Sequence, residues 1–550
     1  MLWDYIVVGG GLGGSVVSSR LHEYLPTAQI LLLEAGINAN NREDIMWYNS
    51  TNLVFGGEFD WNYTTIPQVN ADLLKVNLTQ GKALGGGTVI NKSMWVRGDR
   101  VDYDEWAQIV GDERWSYDGQ LPYFKQTETH WAFANAYQHG YHGNQKIQSA
   151  LSTNRSFPLR EKVYQAWHEI GVQDAPYMDN DGGEPIGISD YSENRNKGRR
   201  EIASAVYPLN GVTVSTQTLV ANIVLDRSDS ESEYVAKGVR LANGTEILGR
   251  QVLLSAGAIR TPQLLMLSGI GPSGELAKHA IEHKVESPDV GRNLADHVII
   301  QQFWKIKNPD EGWAVGSDNP IFEQAQYGWG MYTDFIVSAM VPNEGLAEAI
   351  EQDEGVPPNA SHSLLQNRFA NEHVILYDGQ ASDGKTIKIS TFVFMITARG
   401  SITLASSKVE DPPIIDPNYL GTAVDRYVLR EGLRQQIALA GGNTTILGQE
   451  ILDGNITPSN FSEPLSAAST DEYLDARIRA AVKPGPHPMG TAAMGKVVDT
   501  RLRVKGVSNL RIVDASVFPV ALAAHLQVPT YALAEQASVI IARDTGGYPK

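Results

Sequence analysis

Two stretches of the 550-residue sequence carry residue types and spacings that could do chemistry. Near the carboxyl end, VKPGPHPMGTAAMG (482–495) sets His487 between Pro486 and Pro488, with Gly490 and Gly495 close behind. An imidazole, with an unperturbed pKa of about 6.5, accepts or releases a proton near neutral pH. A proline on either side restricts the backbone that carries it. A lone buried histidine is more commonly structural, so His487 gains meaning only from what the rest of the chain binds. At the amino end, DYIVVGGGLGGSVVSSRL places Gly9, Gly11 and Gly14 in the pattern G-x-G-x-x-G. Those glycines permit a tight turn, close approach of backbone to a pyrophosphate, and contact between helix and strand.

These groups need elements to hold them. Residues 5–8 form an apolar run expected to be a buried parallel strand, and residues 15–21 read as the helix whose amino terminus faces the phosphates. A second strand, 29–33, ends in Glu34, twenty residues past Gly14, where a carboxylate can accept ribose hydroxyls. The order strand, glycine turn, helix, strand, acid points to a dinucleotide and does not separate FAD from NAD. A second glycine-rich loop, GKALGGGTVINKSMWVRG (81–98), leads into Asn91; taken alone it is equally an ordinary tight turn. A third stretch, GAIRTPQLLMLSGIG (257–271), follows an apolar strand at 251–255 and by itself reads as a strand-to-helix connection.

Composition narrows the remaining classes. A chain of this length is expected to form two domains. A net charge of -18 disfavours a nucleic-acid partner, whose phosphates it would repel. No apolar run approaches the roughly 18–20 residues of a membrane span, so no membrane partner is expected. The absence of cysteine removes disulfides, thiolate metal sites and thiol nucleophiles. His139 and His142 have no evident third ligand, so no metal site is expected. Ten N-x-S/T sequons, at Asn49, Asn62, Asn77, Asn91, Asn154, Asn243, Asn359, Asn443, Asn455 and Asn460, exceed the roughly three or four that chance would supply. A secreted, N-glycosylated protein is the expectation, with any signal peptide outside this sequence.

The 81–98 and 257–271 stretches, with VDYDEW (101–106), WSYDGQLPYFKQTE (115–128), VGRNLADH (290–297), DPNYL (416–420) and the carboxyl-terminal segment, resemble the glucose–methanol–choline (GMC) family of FAD-dependent oxidoreductases along essentially the whole chain. The ending AHLQVPTYALAEQASVII most resembles the aryl-alcohol oxidase branch. The resemblance implies an α/β, Rossmann-like FAD-binding domain drawn from residues 1–100, 200–300 and 485–550. An α+β substrate domain with an antiparallel sheet would come from 101–199 and 301–484. It implies FAD contacts at Gly9, Gly11, Leu12, Gly13, Gly14, Glu34, Ala35, Trp61, Lys82, Gly85, Thr88, Asn91, Val220, Ala256, Asp514, Ala515, Leu526 and Gln527. Members with covalent FAD carry a histidine just before the asparagine, and this chain has Ile90 there, so noncovalent FAD is expected.

By the same resemblance His487 is the catalytic base and His525 its partner on the substrate oxygen. Removal of the hydroxyl proton would drive hydride to flavin N5, giving an aldehyde or ketone. The electron acceptor would be O2, yielding H2O2, or a quinone. An aryl or allylic primary alcohol is the first expectation for the substrate. The aryl-alcohol branch carries aromatics where this chain has Pro486 and Lys92; separately, the family's usual small hydroxylated pair after the double glycine is here Gly87 and Thr88. A sugar, a polyol or a secondary-metabolite alcohol therefore stays open, as does cyanohydrin cleavage on the same fold. Stretches of 307–380 read as long polar loops, which makes Trp313, Phe322, Tyr327, Trp329 and Tyr332 candidates to line the access path.

Overall fold

The structure, a computed structural model, describes residues 2–227 and 233–547. The apolar amino-terminal run becomes strand β1 (Trp3–Val8), followed by helix α1 (Leu12–Tyr24) and strand β2 (Ile30–Leu33). β1 pairs in parallel with β2, and β2 with the short strand β3 (Thr213–Ser215). Three antiparallel strands extend the other edge: β4 (Val220–Arg227), β5 (Tyr234–Leu241) and β6 (Glu246–Leu254), with β6 parallel to β1. Among the described residues this sheet has the order β3-β2-β1-β6-β5-β4, and Leu510–Ile512 adds in parallel beside β6. β1 from Tyr5 to Val8 and all of β2 are apolar and buried at successive positions, so neither face of these strands is left to water. Helix α2 (Gly257–Leu267) carries the 257–271 stretch. Helix α3 (Gln527–Asp544) is buried at every position from Val528 to Ala542 and packs against α1 in the core. A helix with so little polar face must be enclosed by protein.

The second sheet is antiparallel. Its central strands are β7 (Val298–Ile306), β8 (Phe335–Ala339), β9 (Asn371–Leu376), β10 (Thr386–Val393) and β11 (Leu452–Asn455), in the order β11-β7-β10-β9-β8, with Gly187–Asp190 beyond β8. The 18-residue helix Ala423–Ala440 backs it.

The reading of stretches of 307–380 as long polar loops holds for 308–320 but needs correction further on. That span contains β8, β9 and a 12-residue helix, Asn343–Glu354. The helix buries only Leu346, Ala349 and Ile350, at the three- and four-residue spacing of a helical face, so its acidic remainder concealed the period. No described helix is long and apolar enough to cross a membrane.

Candidate active site

A cavity of about 700 Å³ lies at the carboxyl ends of β1 and β6, between the two sheets. Its floor is built from glycine. Gly9 has φ +98°, and a Cβ there would meet the Ser255 backbone, so β1 turns into α1 directly against the end of β6. Gly86, at φ +53°, lies with its pro-Cβ direction 2.6 Å from the Cα of Gly11. The two glycine loops therefore stand back to back, and the backbone amide of Gly85 donates to the Gly10 carbonyl at 2.7 Å. Glu34 accepts from the amides of Gly10 (2.8 Å) and Gly36 (2.7 Å), bracing the turn from beside the cavity.

The remaining candidates arrive from distant segments. Asn91 ends the short helix Gly87–Ile90; its side-chain amide donates to Gln527 Oε1 at 3.2 Å, and Gln527 Nε2 donates to the Met94 carbonyl at 2.5 Å. The start of α3 is thereby tied to the second glycine loop. Asp514 accepts from the amide of Gly257 (3.0 Å) and the hydroxyl of Thr261 (2.6 Å), which fixes the first turn of α2. Lys82 lies outside the cavity wall, its Nζ 4.8 Å from the Trp61 ring centroid. Gly14 and Gly85 are likewise behind the wall. The other sequence candidates, Gly9, Gly11, Leu12, Gly13, Glu34, Ala35, Trp61, Thr88, Asn91, Val220, Ala256, Asp514, Ala515, Leu526, Gln527, His487 and His525, all line it.

The two prolines around His487 have a structural logic. In the extended run Gly485–Met489 the three available N–H groups all point toward residues 295–297. Gly485 donates to His297 O (2.7 Å), Met489 to Ala295 O (2.9 Å), and His487 to the Asp296 carboxylate (2.6 Å). Pro486 and Pro488 line the cavity, where a main-chain N–H would lack a partner. Asp296 also accepts from the buried Tyr419 hydroxyl, and burial raises its pKa to about 7.

The imidazoles form a chain. His487 Nδ1 lies 3.0 Å from His297 Nδ1, and His487 Nε2 lies 3.2 Å from His525 Nδ1. His525 Nε2 lies 3.1 Å from Glu372 Oε1. Burial pushes both catalytic candidates down, His487 well below the ordinary histidine value, helped by the neighbouring His525, and His525 to about 3. Burial drives the Glu372 carboxyl well above the usual carboxylate range. The contact between Glu372 and His525 is thus a hydrogen bond between neutral groups. With Glu372 neutral, its O–H can donate to His525 Nε2; in that tautomer order His525 Nδ1–H points at His487 Nε2 and His487 Nδ1–H at His297 Nδ1. In this order the lone pair of His487 Nε2 faces His525 Nδ1–H, and a ligand hydroxyl reaches it by taking the place of that contact.

On the opposite wall, Ile299 of β7 pairs with both Phe392 of β10 and Lys483, and all three line the cavity with Gln301. The Phe392 ring centroid is 5.0 Å from His525 and 6.3 Å from His487. The expected access-path aromatics do not reach this space. Tyr327 is buried in a separate core, where Trp313, Phe322 and Tyr332 pack around it, and Trp329 stands over Gly198. They fill that interior instead, with Phe157 and Phe322 meeting Tyr327 edge-on. His297, Asp296, Glu372 and Phe392 were not singled out from the sequence. The first two lay inside VGRNLADH, whereas nothing local distinguishes Glu372 or Phe392. Among the described residues no group of three or more His, Asp or Glu is arranged to hold a metal ion.

The cavity suits a dinucleotide: two glycine loops leave its floor open to a pyrophosphate, and the buried Ser255 hydroxyl beside them has no protein partner. Comparison with known proteins agrees. Residues 3–299 and 397–534 match the family models described as GMC oxidoreductase. A GMC-type oxidoreductase, acuG, from Aspergillus aculeatus is 36% identical over 544 residues, covering 97% of this chain and 98% of that one. A variant of the Aspergillus oryzae formate oxidase, studied for FAD modification, superposes with a TM-score of 0.86 at 23% identity, covering 99% and 98% of the two chains. A fungal aryl-alcohol oxidase superposes with a TM-score of 0.81 at 22% identity, covering 99% of each. Those two similarities speak for the fold.

Proposed function

The chain belongs to the GMC oxidoreductase family of FAD-dependent enzymes, and on that premise we propose that it oxidises an alcohol to the aldehyde or ketone, with His487 as the base. One observation carries the reading. His487 Nε2 and His525 Nδ1, 3.2 Å apart and both held neutral by burial, line the same cavity as the glycine cradle.

FAD would be held by Gly9, Gly11, Leu12, Gly13, Glu34 and Ala35 on one side, and by Thr88, Asn91, Val220, Asp514 and Gln527 on the other. The bound flavin supplies an acceptor for hydride. A hydroxyl entering the cavity inserts between His525 Nδ1–H and His487 Nε2, accepting a hydrogen bond from the first and presenting its proton to the lone pair of the second. Transfer of the hydroxyl proton to His487 Nε2 leaves charge on oxygen that expels the hydride from the same carbon. Asp296 and the two prolines keep the imidazole in place throughout, so the base is positioned before substrate arrives. Noncovalent attachment belongs to the same reading and is supported by Ile90, a buried aliphatic side chain where a covalent histidine would be required.

Phe392 beside both histidines favours an aryl or allylic primary alcohol, since its ring offers a stacking surface next to the reacting position. O2 or a quinone would accept the electrons. Secretion with N-linked glycans also belongs to this proposal. Eight of the ten sequon asparagines are exposed, whereas Asn91 is half-buried and bonded to Gln527, and Asn455 is buried against Gln302 and Arg477.

The test is anaerobic addition of alcohols to the flavin-loaded protein. Bleaching of the flavin by an aryl alcohol is expected, and His487→Ala should slow it by roughly 10²–10⁴-fold with flavin still bound. Aldehyde release from a cyanohydrin without bleaching would overturn the proposal.

A further inference from the structure

The charged groups lining the cavity are not equivalent. Glu34 and Asp514 are satisfied by backbone amides, and Arg260 by the Tyr63 hydroxyl (2.6 Å), Gln263 and the Val409 carbonyl. Lys92 is different. Half-buried in the cavity wall beside Asn91, its ammonium has no hydrogen-bond acceptor among the described residues, and burial lowers its pKa. An ammonium partly withdrawn from water and without a protein partner gains from an acceptor, and the cavity that Lys92 lines is where one can bind.

Its surroundings reinforce the point. Three charged groups act on it: Lys388 and Lys483, both cationic, and Asp378. Asp378 already pairs with Lys388 at 3.4 Å, and the exposed Lys483 brings a further cation toward Lys92, so the positive charge around it is not balanced by that carboxylate. The register of the second sheet places them. Lys388 and Phe392 lie on one face of β10, and Ile299, opposite Phe392, also pairs with Lys483. The cationic cluster therefore borders the wall that continues to Phe392 and the two histidines, in a chain whose net charge is -18.

We propose that Lys92, supported by Lys483, is a specificity-determining residue that binds a carboxylate on the substrate, so that the preferred alcohols are hydroxy acids whose carboxylate and carbinol occupy opposite parts of one cavity. The inference rests on the alcohol-oxidation reading only for the position of the carbinol. The carboxylate completes the hydrogen bonds of the lysine and neutralises the excess of cations.

The experiment separates the two claims. Benzoate, which cannot be oxidised, is titrated into the flavin-loaded protein and its binding read from the shift in flavin absorption. Anaerobic flavin reduction is then compared for 4-(hydroxymethyl)benzoate and its methyl ester. Lys92→Met should weaken benzoate binding at least about tenfold and lower the acid-to-ester ratio of kcat/KM by a similar factor, while Lys92→Arg keeps both within about threefold. Lys92→Met should retain flavin as the parent does. Failure of benzoate to bind the parent protein, equal benzoate affinity in Lys92→Met, or loss of flavin from that variant would each overturn the assignment. Benzoate binding that depends on Lys92, in a protein whose flavin no alcohol reduces, would sink the oxidation reading and leave the anion site standing.

Discussion

His525 Nε2 and Glu372 Oε1 lie 3.1 Å apart, yet the two groups do not form an ion pair. Burial moves their proton affinities in opposite directions, the carboxyl upward and the imidazole down to about 3, so the proton stays on the acid. The second carboxyl oxygen of Glu372 has no partner, which is the environment of a neutral acid. A neutral Glu372 that donates to Nε2 leaves the hydrogen of His525 on Nδ1.

From this follows the contrast between two substitutions. Glu372→Gln keeps a neutral donor toward His525 Nε2 and should lower the flavin-reduction rate less than about fivefold. Glu372→Ala removes the donor, frees the tautomer and should cost roughly 10–100-fold in kcat with a smaller change in KM. Stopped-flow reduction of both variants decides the matter; equal losses would mean that the carboxylate charge is what counts.

The pH profile follows from the sign of the imidazole shifts. His487 is held well below about 6.5, chiefly by burial and then by His525, so it is already neutral at pH 6.5 and above. Its ability to accept a proton should be flat from pH 8 down through 6.5 and fall only in more acid solution. Conformational stability takes the same sign from these groups. Below about 6.5 the unfolded histidines bind protons that the folded ones do not, so stability is lost as pH falls. An inflection of the flavin-reduction rate at pH 6.5 that disappears in His487→Ala would contradict this.

Gly86 supports the glycine cradle through backbone contact. A Cβ there would fall 2.6 Å from the Gly11 Cα, in a residue at φ +53°. Gly86→Ala should force the two loops apart and release flavin, seen as loss of yellow colour on gel filtration. Gly87→Ala, whose Cβ meets nothing within 4 Å, should retain it.

Glycan occupancy is the remaining expectation. Protein expressed through a eukaryotic secretory pathway should shift in mass on treatment with an N-glycan-cleaving amidase, and peptide mapping should find Asn455 unmodified. The Asn455 side chain donates to Gln302 Oε1 (3.3 Å) and accepts from Arg477 (3.0 Å) inside the second sheet. No shift in mass would remove secretion from the proposal.

What could be read from the linear chain was local. The strand, glycine turn, helix and acid from Trp3 to Glu34 lie in one contiguous run, because the backbone geometry that cradles a pyrophosphate is written in neighbouring residues. His487 and His525 were likewise visible through the motifs that surround them. The helix Asn343–Glu354 and the packing of Tyr327 were misread because a polar surface and an aromatic side chain look the same whether they cover an opening or fill a core. Glu372, His297, Phe392 and the lysines near Lys92 came from the tertiary structure alone. His297 is 190 residues from His487 and Glu372 is 153 from His525, and each contact exists only because the folded chain brings those segments together. Pairing register decides which side chains share a wall, and a shift of one residue would turn Phe392 and Lys388 to the opposite face. Burial, which neutralises His487, His525 and Glu372, belongs to the assembled interior and to no segment of the sequence.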